Sequence, residues 1–186
     1  MKRLARAAIV TTLRDELERR GSWAGETHLQ KALFVLQEGA SVPLAYNFIL
    51  YKHGPFAFDL REDLNAFRSD GFITLRTQPY PYGPRLVTTE IGHDLQRRFP
   101  KTLGLNRKRI ETVAQFLGNR GVTDLERIGT ALLMIRDFPG ADDNEISRRV
   151  RNVKPHVQES EAELAIKEVR RFLVGATMKE ALGQKS

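Results

Sequence analysis

An aromatic run that stops at a Gly-Pro pair is the feature that most constrains how this chain can fold. Residues 44–51 are rich in aromatic and β-branched side chains, which is the composition of a β-strand. Gly54 and Pro55 follow closely, and proline cannot donate a hydrogen bond to a sheet but suits the first turn of a helix. We therefore predict a strand over 44–51 and a helix that begins near Phe56.

The side chains around this corner have structural and functional interpretations. Histidine is the residue type most often used as a proton shuttle, but for His53 we favour a structural role in which its ring caps the strand end or bonds a nearby carbonyl. Lys52 is the residue of the corner that we expect to face a partner. The aromatic side chains expected to fill the core here are Tyr46, Phe48, Phe56 and Phe58.

The segments around the corner predict a winged helix-turn-helix over residues 1–100. Apolar residues at helical spacing predict helices over 3–20 and 27–38 before the strand, and over 56–69 after it. Two β segments, 72–77 and 85–89, then flank a proline-rich tip and predict a hairpin, which a helix over 89–99 follows. The fold class is therefore expected to be α+β and mainly helical, with one small hairpin.

The rest of the chain shows helical periodicity alone. We predict that residues 101–175 form a helical region packed on the winged-helix domain, and that residues 176–186 form a frayed tail. There is no cysteine, which excludes disulfides and thiolate metal sites. No apolar run approaches the roughly 18–20 residues that span a bilayer, and the basic start lacks the apolar core of a signal peptide. We therefore expect a cytoplasmic protein.

No motif in the chain predicts catalysis. The four histidines do not have the spacing of metal ligands, and the chain contains neither a phosphate-binding glycine loop nor a GxSxG elbow. The carboxylates Glu62 and Asp63 are interpreted as a solvated helix face. The sequence therefore predicts a protein that is not an enzyme and that binds no metal or cofactor.

Two segments of the chain resemble a known family. HLQKALFVLQEG and YNFILYKHGPFAFDLREDLNAFRSDGFI, over about residues 27–73, are similar to the SocA-like antitoxin family (the Panacea domain) and its YwgA-like relatives. In that family a leucine-rich LQK helix precedes an aromatic strand, a Gly-Pro-Phe turn and a further helix. RNVKPHV, around Lys154, is also similar to a later part of such proteins. The resemblance implies a small cytosolic prokaryotic protein that is encoded near toxin or defence genes. It also implies an antitoxin or adaptor that acts by binding another protein.

Protein binding is the leading functional hypothesis, with a toxin or a component of a protease system as the partner. Binding surfaces use exposed aromatic anchors inside a rim of mixed charge. The proline-rich tip fits this description, because tyrosines held by prolines lose little entropy on binding. The third helix and its C-terminal Asp70 carry four acidic against two basic residues and would suit a basic partner. The candidate protein-binding residues are Tyr80, Tyr82, Asp59, Glu62 and Asp63.

Binding of duplex DNA stays open as the alternative. The formal net charge is +7, and in a winged helix the third helix enters the major groove while the wing contacts the adjacent groove or backbone. The acidic third helix would repel phosphates, so the wing and a basic cluster over 97–109 would have to supply the affinity. That cluster is either a phosphate-binding surface or a solvated helix end, and a second cluster over 148–154 (Arg148, Arg149, Arg151 and Lys154) has the same two interpretations. A homodimer is also compatible with the sequence. The candidate nucleic-acid-binding residues are Lys52, Arg76, Arg85, Arg97, Arg98, Arg107, Lys108 and Arg109.

Overall fold

In the computed structural model, which describes residues 1–79 and 83–183 and side chains as far as Ala176, helices alternate with two small antiparallel hairpins. The expected class, α+β and mainly helical, is confirmed. The strands are β1 (Ile49–Tyr51), β2 (Gly54–Phe56), β3 (Ile73–Arg76) and β4 (Arg85–Thr88). The helices are α1 (Arg3–Arg19), α2 (Glu26–Phe34), a π-helix (Val35–Gly39), α3 (Phe58–Ser69), α4 (Glu90–Arg98), α5 (Pro100–Leu117), α6 (Val122–Asp137), α7 (Asp143–Val153) and α8 (Glu159–Gly183).

Helix α1 runs through the core of the molecule. Ala7, Ile9 and Leu13 are fully buried on it, as expected for a helix that is covered on several sides. It packs against α4, α5 and β4, and the Arg14 guanidinium donates from Nε to the carbonyl of Leu86 in β4 at 2.6 Å. The first helix therefore holds the second hairpin and the following two helices together.

The C-terminal helices share one apolar core with the rest of the chain. Helices α6, α7 and α8 pack on one another, and α6 also packs against α2 and β2. Leu33 of α2, Leu132 of α6 and Ile166 of α8 belong to the same buried cluster. Helix α5 starts at Pro100 and lies along α1, so contacts cross the predicted boundary at residue 100, which stays a prediction. Within the described residues, no helix is both long and apolar enough to cross a bilayer.

The predictions for the aromatic run and its Gly-Pro pair were wrong in two respects. The run is not a strand over its whole length, since β1 comprises only Ile49–Tyr51. The Gly-Pro pair does not end the β structure, because Gly54 and Pro55 belong to β2 and pair with β1 across a Lys52-His53 turn. Gly54 adopts a φ of +84°, which favours glycine and turns the chain back.

Side chains replace a sheet partner in the segment before β1. The amide of Gln37 bonds both the N–H and the carbonyl of Tyr46 at 2.9 Å. The carboxylate of Asp59 accepts the N–H of Asn47 at 3.1 Å. Because these backbone groups are satisfied locally, residues 44–48 stay outside the strand.

Helix α3 starts two residues later than predicted, because residues 54–56 belong to β2. Tyr46 and Phe48 are buried as predicted. The same prediction was wrong for Phe58, which is 47% exposed, and only partly right for Phe56, which is half-buried.

The second hairpin and the helix after it confirm the sequence prediction. Strands β3 and β4 pair from Ile73 opposite Thr88 to Arg76 opposite Arg85. Thr89 then caps α4, with its hydroxyl accepting the N–H of Gly92 at 3.1 Å. The tip tyrosines Tyr80 and Tyr82 lie outside the described residues, as do residues 184–186 of the predicted tail.

A close approach between α4 and the start of the second hairpin leads to a prediction about Gly92. A Cβ atom at this position would lie 2.2 Å from the carbonyl oxygen of Phe72, and a backbone oxygen cannot rotate away. We expect Gly92→Ala to lower the free energy of unfolding by about 2–3 kcal/mol in urea denaturation. The control is Gly104→Ala in α5, where an added Cβ meets nothing within 4 Å. Gly104→Ala is expected to raise the free energy of unfolding by about 0.5–1 kcal/mol. Equal free energies of unfolding for the two variants would contradict the close approach at Gly92.

Candidate functional site

The β1–β2 hairpin and the start of α3 display a group of exposed apolar side chains. Ile49, Tyr51 and Phe58 are 42%, 44% and 47% exposed, and Phe56 is half-buried between them. The three aromatic rings contact one another, with centroid distances of 5.0 Å for Phe56–Phe58 and 5.5 Å from Tyr51 to each. An exposed cluster of large apolar groups is typical of a binding surface. We call these four residues the aromatic patch.

The strand register explains why the patch lies on one face. Ile49 is opposite Phe56 and Tyr51 is opposite Gly54, so their side chains point to the same side of the hairpin. Pro55 belongs to the other side, where it is buried over Gly129 of α6. The hairpin therefore has an inner face fixed to the protein and an outer face in solvent.

Two buried lysines hold the hairpin onto the helices. The ammonium group of Lys31 donates to the carbonyl of Pro55 at 2.9 Å. The ammonium group of Lys154 donates to the carbonyl of Lys52 at 2.5 Å and also bonds the carboxylate of Glu126. Lys154 was predicted to belong to an exposed basic cluster. This was wrong, because Lys154 is only 5% exposed and its ammonium group forms an ion pair with the Glu126 carboxylate.

Beneath the β1–β2 hairpin, two lysines and a histidine surround one carboxylate. Burial lowers the pKa of Lys31 to about 8; attraction to Glu126 acts in the opposite direction, and repulsion from Lys154 adds to the lowering. His53 lies in the turn with its ring 73% exposed and its Nδ1 atom 3.7 Å from the Glu126 carboxylate. This distance is too long for a hydrogen bond, so the structural role expected for His53 stays a prediction. Glu126 is the acidic group shared by all three bases.

The lowered pKa of Lys31 makes stability depend on pH. In the folded protein Lys31 loses its proton near pH 8, whereas in the unfolded chain it keeps the proton to near its ordinary pKa of about 10.4. Between these values the unfolded state binds more protons, so we expect stability to rise by about 2 kcal/mol from pH 8 to pH 10. Burial and Asp63 raise the pKa of Tyr46 above its ordinary value of about 10, so this tyrosine begins to oppose the trend as the pH approaches 10. Urea denaturation at pH 8, 9 and 10 measures how much the free energy of unfolding rises. We expect the rise to be much smaller in Lys31→Met. A rise of the same size in that variant would show that other titratable groups cause it.

The acidic candidates on α3 are not equally available to a partner. Asp63 was predicted to be exposed, and this was wrong. It is buried, accepts the hydroxyl of Tyr46 at 3.0 Å and pairs with Arg6 at 2.9 Å. Asp59 is half-buried, and its carboxylate accepts the N–H of Asn47. Among the three acidic candidates on α3, Glu62 is therefore the fully exposed one.

Some of the basic candidates are engaged within the protein. Arg85 pairs with Glu18 at 2.6 Å and lies over the ring of Trp23, with its guanidinium carbon 5.7 Å from the centroid. Arg97 pairs with Asp94, and Arg107 lies 3.7 Å from Glu111. Arg109 is half-buried, whereas the remaining candidates are exposed: Lys52, Arg76, Arg98 and Lys108.

A groove of about 660 Å³ lies between α3, the second hairpin and the connections that follow α1 and α5. Asn65 and Arg68 line its α3 side, and Trp23 lies at the other side, with its indole N–H donating to the carbonyl of Gly83 at 3.2 Å. His28 lies at the floor, and burial lowers its pKa. In the described part of the chain, no group of three or more acidic or histidine side chains is placed to hold a metal ion.

Comparison with known proteins adds no family assignment. No protein-family model matches the chain, and no curated protein is significantly similar to it. The resemblance to SocA-like antitoxins stays a prediction from sequence motifs.

Proposed function

We propose that this chain acts without catalysis by binding another protein through the aromatic patch. The observation that carries the proposal is the mutual contact of Tyr51, Phe56 and Phe58 on the solvent side of a hairpin. Exposed aromatic groups of this kind are the residues on which binding energy concentrates. The buried lysines below fix the hairpin, so little conformational entropy would be lost when a partner binds.

The charges around the patch fit an interface between proteins. Lys52 follows Tyr51 in the hairpin turn, and Glu62 lies one helical turn beyond Phe58, and both are exposed. An apolar centre with a polar rim of both signs is the usual anatomy of a protein–protein interface. This arrangement and the motif resemblance support an antitoxin or adaptor role in a prokaryotic toxin–antitoxin or defence module.

We also propose that α1–α4 with β3 and β4 form a winged helix-turn-helix. The order of these elements, and the hairpin that directly follows α3, support this arrangement. The π-helix and the β1–β2 hairpin then form an insertion between the second and third helices. In this arrangement the aromatic patch belongs to the insertion and leaves the wing free for other contacts.

A growth assay tests the proposed function. We expect co-expression of the chain to relieve the toxicity of a neighbouring gene product, and Phe58→Asp to abolish that relief. Leu105→Asp on α5 is the matched control, because Leu105 is also an exposed apolar residue and should tolerate the change. Relief that persists in Phe58→Asp would contradict the proposal. The double variant Tyr80→Ser/Tyr82→Ser tests the tip predicted from the sequence in the same assay.

Binding of duplex DNA is the second candidate function. It is favoured by three exposed cations at the end of α4 and in the first half of α5, Arg98, Lys101 and Lys108, which make no ion pair among the described residues. This function requires affinity for random duplex DNA that falls steeply as salt rises, because phosphate contacts release counterions. Reversing the three charges to glutamate should then abolish binding. No binding at low salt would exclude this function.

A further inference from the structure

Resting on the proposed function, we propose that the partner docks as an extended strand along the free edge of β1, adding a third strand to the hairpin. The proposal begins with the hydrogen-bonding register. Leu50 is opposite Pro55, and proline has no N–H to exchange across a ladder. This pair is therefore the non-hydrogen-bonded one, and the N–H and carbonyl of Leu50 point away from β2.

The two edges of the hairpin differ in their availability. On β2, Pro55 has no N–H and its carbonyl is bound by Lys31, while the strand packs against α2 and α6. On β1, the backbone of Leu50 makes no hydrogen bond with any described residue, and its side chain is 38% exposed. The main contacts of β1 are with β2 alone. An open strand edge is a template for pairing with another chain.

The surroundings of the open edge indicate what the added strand must look like. A strand paired with β1 places alternate side chains on the same face as Ile49, Tyr51 and Phe56, so apolar residues at alternate positions would cover the aromatic patch. Lys52 and Glu62 flank the patch without an ion pair among the described residues. The occupant is therefore an extended segment of another protein with alternating apolar residues, an acidic residue near Lys52 and a basic residue near Glu62.

A single position separates backbone pairing from side-chain contact. Leu50→Pro removes the outward N–H and places a ring at the edge, yet keeps the ladder bonds that Ile49 and Tyr51 make with β2. Leu50→Ala removes the side chain and keeps the N–H, so it is the matched control. Equal circular dichroism and urea midpoints of the two variants show that both are folded.

The probe is a displayed library of nine-residue peptides with apolar residues at alternating positions, selected against the full chain. We expect an enriched peptide to lose at least about tenfold in affinity for Leu50→Pro and less than about twofold for Leu50→Ala. N-methylation of the synthetic peptide at successive positions should weaken binding mainly at the position whose N–H pairs with the Leu50 carbonyl, because the neighbouring outward carbonyls of Phe48 and Lys52 are bound by Arg136 and Lys154.

The outcomes distinguish this inference from the proposed function. Peptide binding that is lost in Phe58→Asp but retained in Leu50→Pro would overturn strand addition and leave the aromatic patch as a binding surface. Failure to enrich any peptide would overturn strand addition, while the growth assay with Phe58→Asp still decides the proposed function. A dimer of the wild-type chain that Leu50→Pro dissociates would also overturn the inference, because a second copy would then occupy the edge.

Discussion

Replacing Glu126 by alanine is expected to lower the free energy of unfolding by about 3–5 kcal/mol, a large part of the stability of an ordinary domain. Glu126 bonds the buried ammonium of Lys154 and attracts that of Lys31. Its removal leaves two buried cations without their shared counter-charge, and breaking a buried pair from one side is costly because the remaining charge stays desolvated. The hairpin carbonyls that these lysines bind would lose their support as well.

Urea denaturation at pH 7 measures this effect. Glu111→Ala is the control, because Glu111 lies 3.7 Å from exposed Arg107, and its loss should change stability by less than about 0.5 kcal/mol. The double variant Glu126→Ala/Lys154→Met should recover part of the loss, since it also removes one uncompensated charge. A change below about 1 kcal/mol for Glu126→Ala would show that the lysines do not depend on this carboxylate.

The double substitution Tyr51→Asp/Phe58→Asp is expected to weaken partner binding by at least about 100-fold. Each aromatic ring is a candidate anchor worth about 2 kcal/mol or more when lost, and buried aspartates would add a desolvation cost in the complex. Both side chains are about half exposed in the free protein and pack mainly on each other and on Phe56, so the free energy of unfolding should fall by about 1–3 kcal/mol, which leaves the protein folded. Titration calorimetry with the purified neighbouring gene product measures the affinity.

The same titration with Leu105→Asp controls for a general effect of added negative charge. Unchanged affinity in the double variant would place the interface outside the aromatic patch. An equal loss in Leu105→Asp would show that the effect depends on net charge and not on the rings.

Local patterns were sufficient to predict most helices and the second hairpin. The spacing of apolar residues and helix caps such as Thr89 involve residues only a few positions apart, so the sequence alone is sufficient to identify the helices. The first hairpin was missed because Gly54 and Pro55 have the same local signature as the end of a strand. Proline is tolerated in β2 because it lies opposite Leu50 in a non-hydrogen-bonded pair, where the ladder needs no N–H. Its carbonyl is bound by Lys31, 24 positions earlier in the chain, and no local pattern contains that contact.

The candidate site was harder to predict because burial depends on distant partners. Asp63 is buried beside Tyr46 and Arg6, and Lys154 beside Glu126, although aspartate and lysine are residue types usual at surface positions. The reverse error affected Phe58, since an aromatic residue looks the same in sequence whether it fills the core or faces solvent. The signal that was available was the density of aromatic residues over 46–58, which exceeds what one three-residue strand can bury.

Hydrogen–deuterium exchange of the chain, alone and saturated with the neighbouring gene product, decides where the partner binds. Docking on the aromatic patch should slow exchange over residues 48–58 and leave residues 97–109 unchanged. Strand addition along β1 should in addition slow exchange most strongly at the Leu50 amide. Exchange over 48–58 that stays the same in the complex, with slowing confined to another part of the chain, would contradict the proposed docking surface.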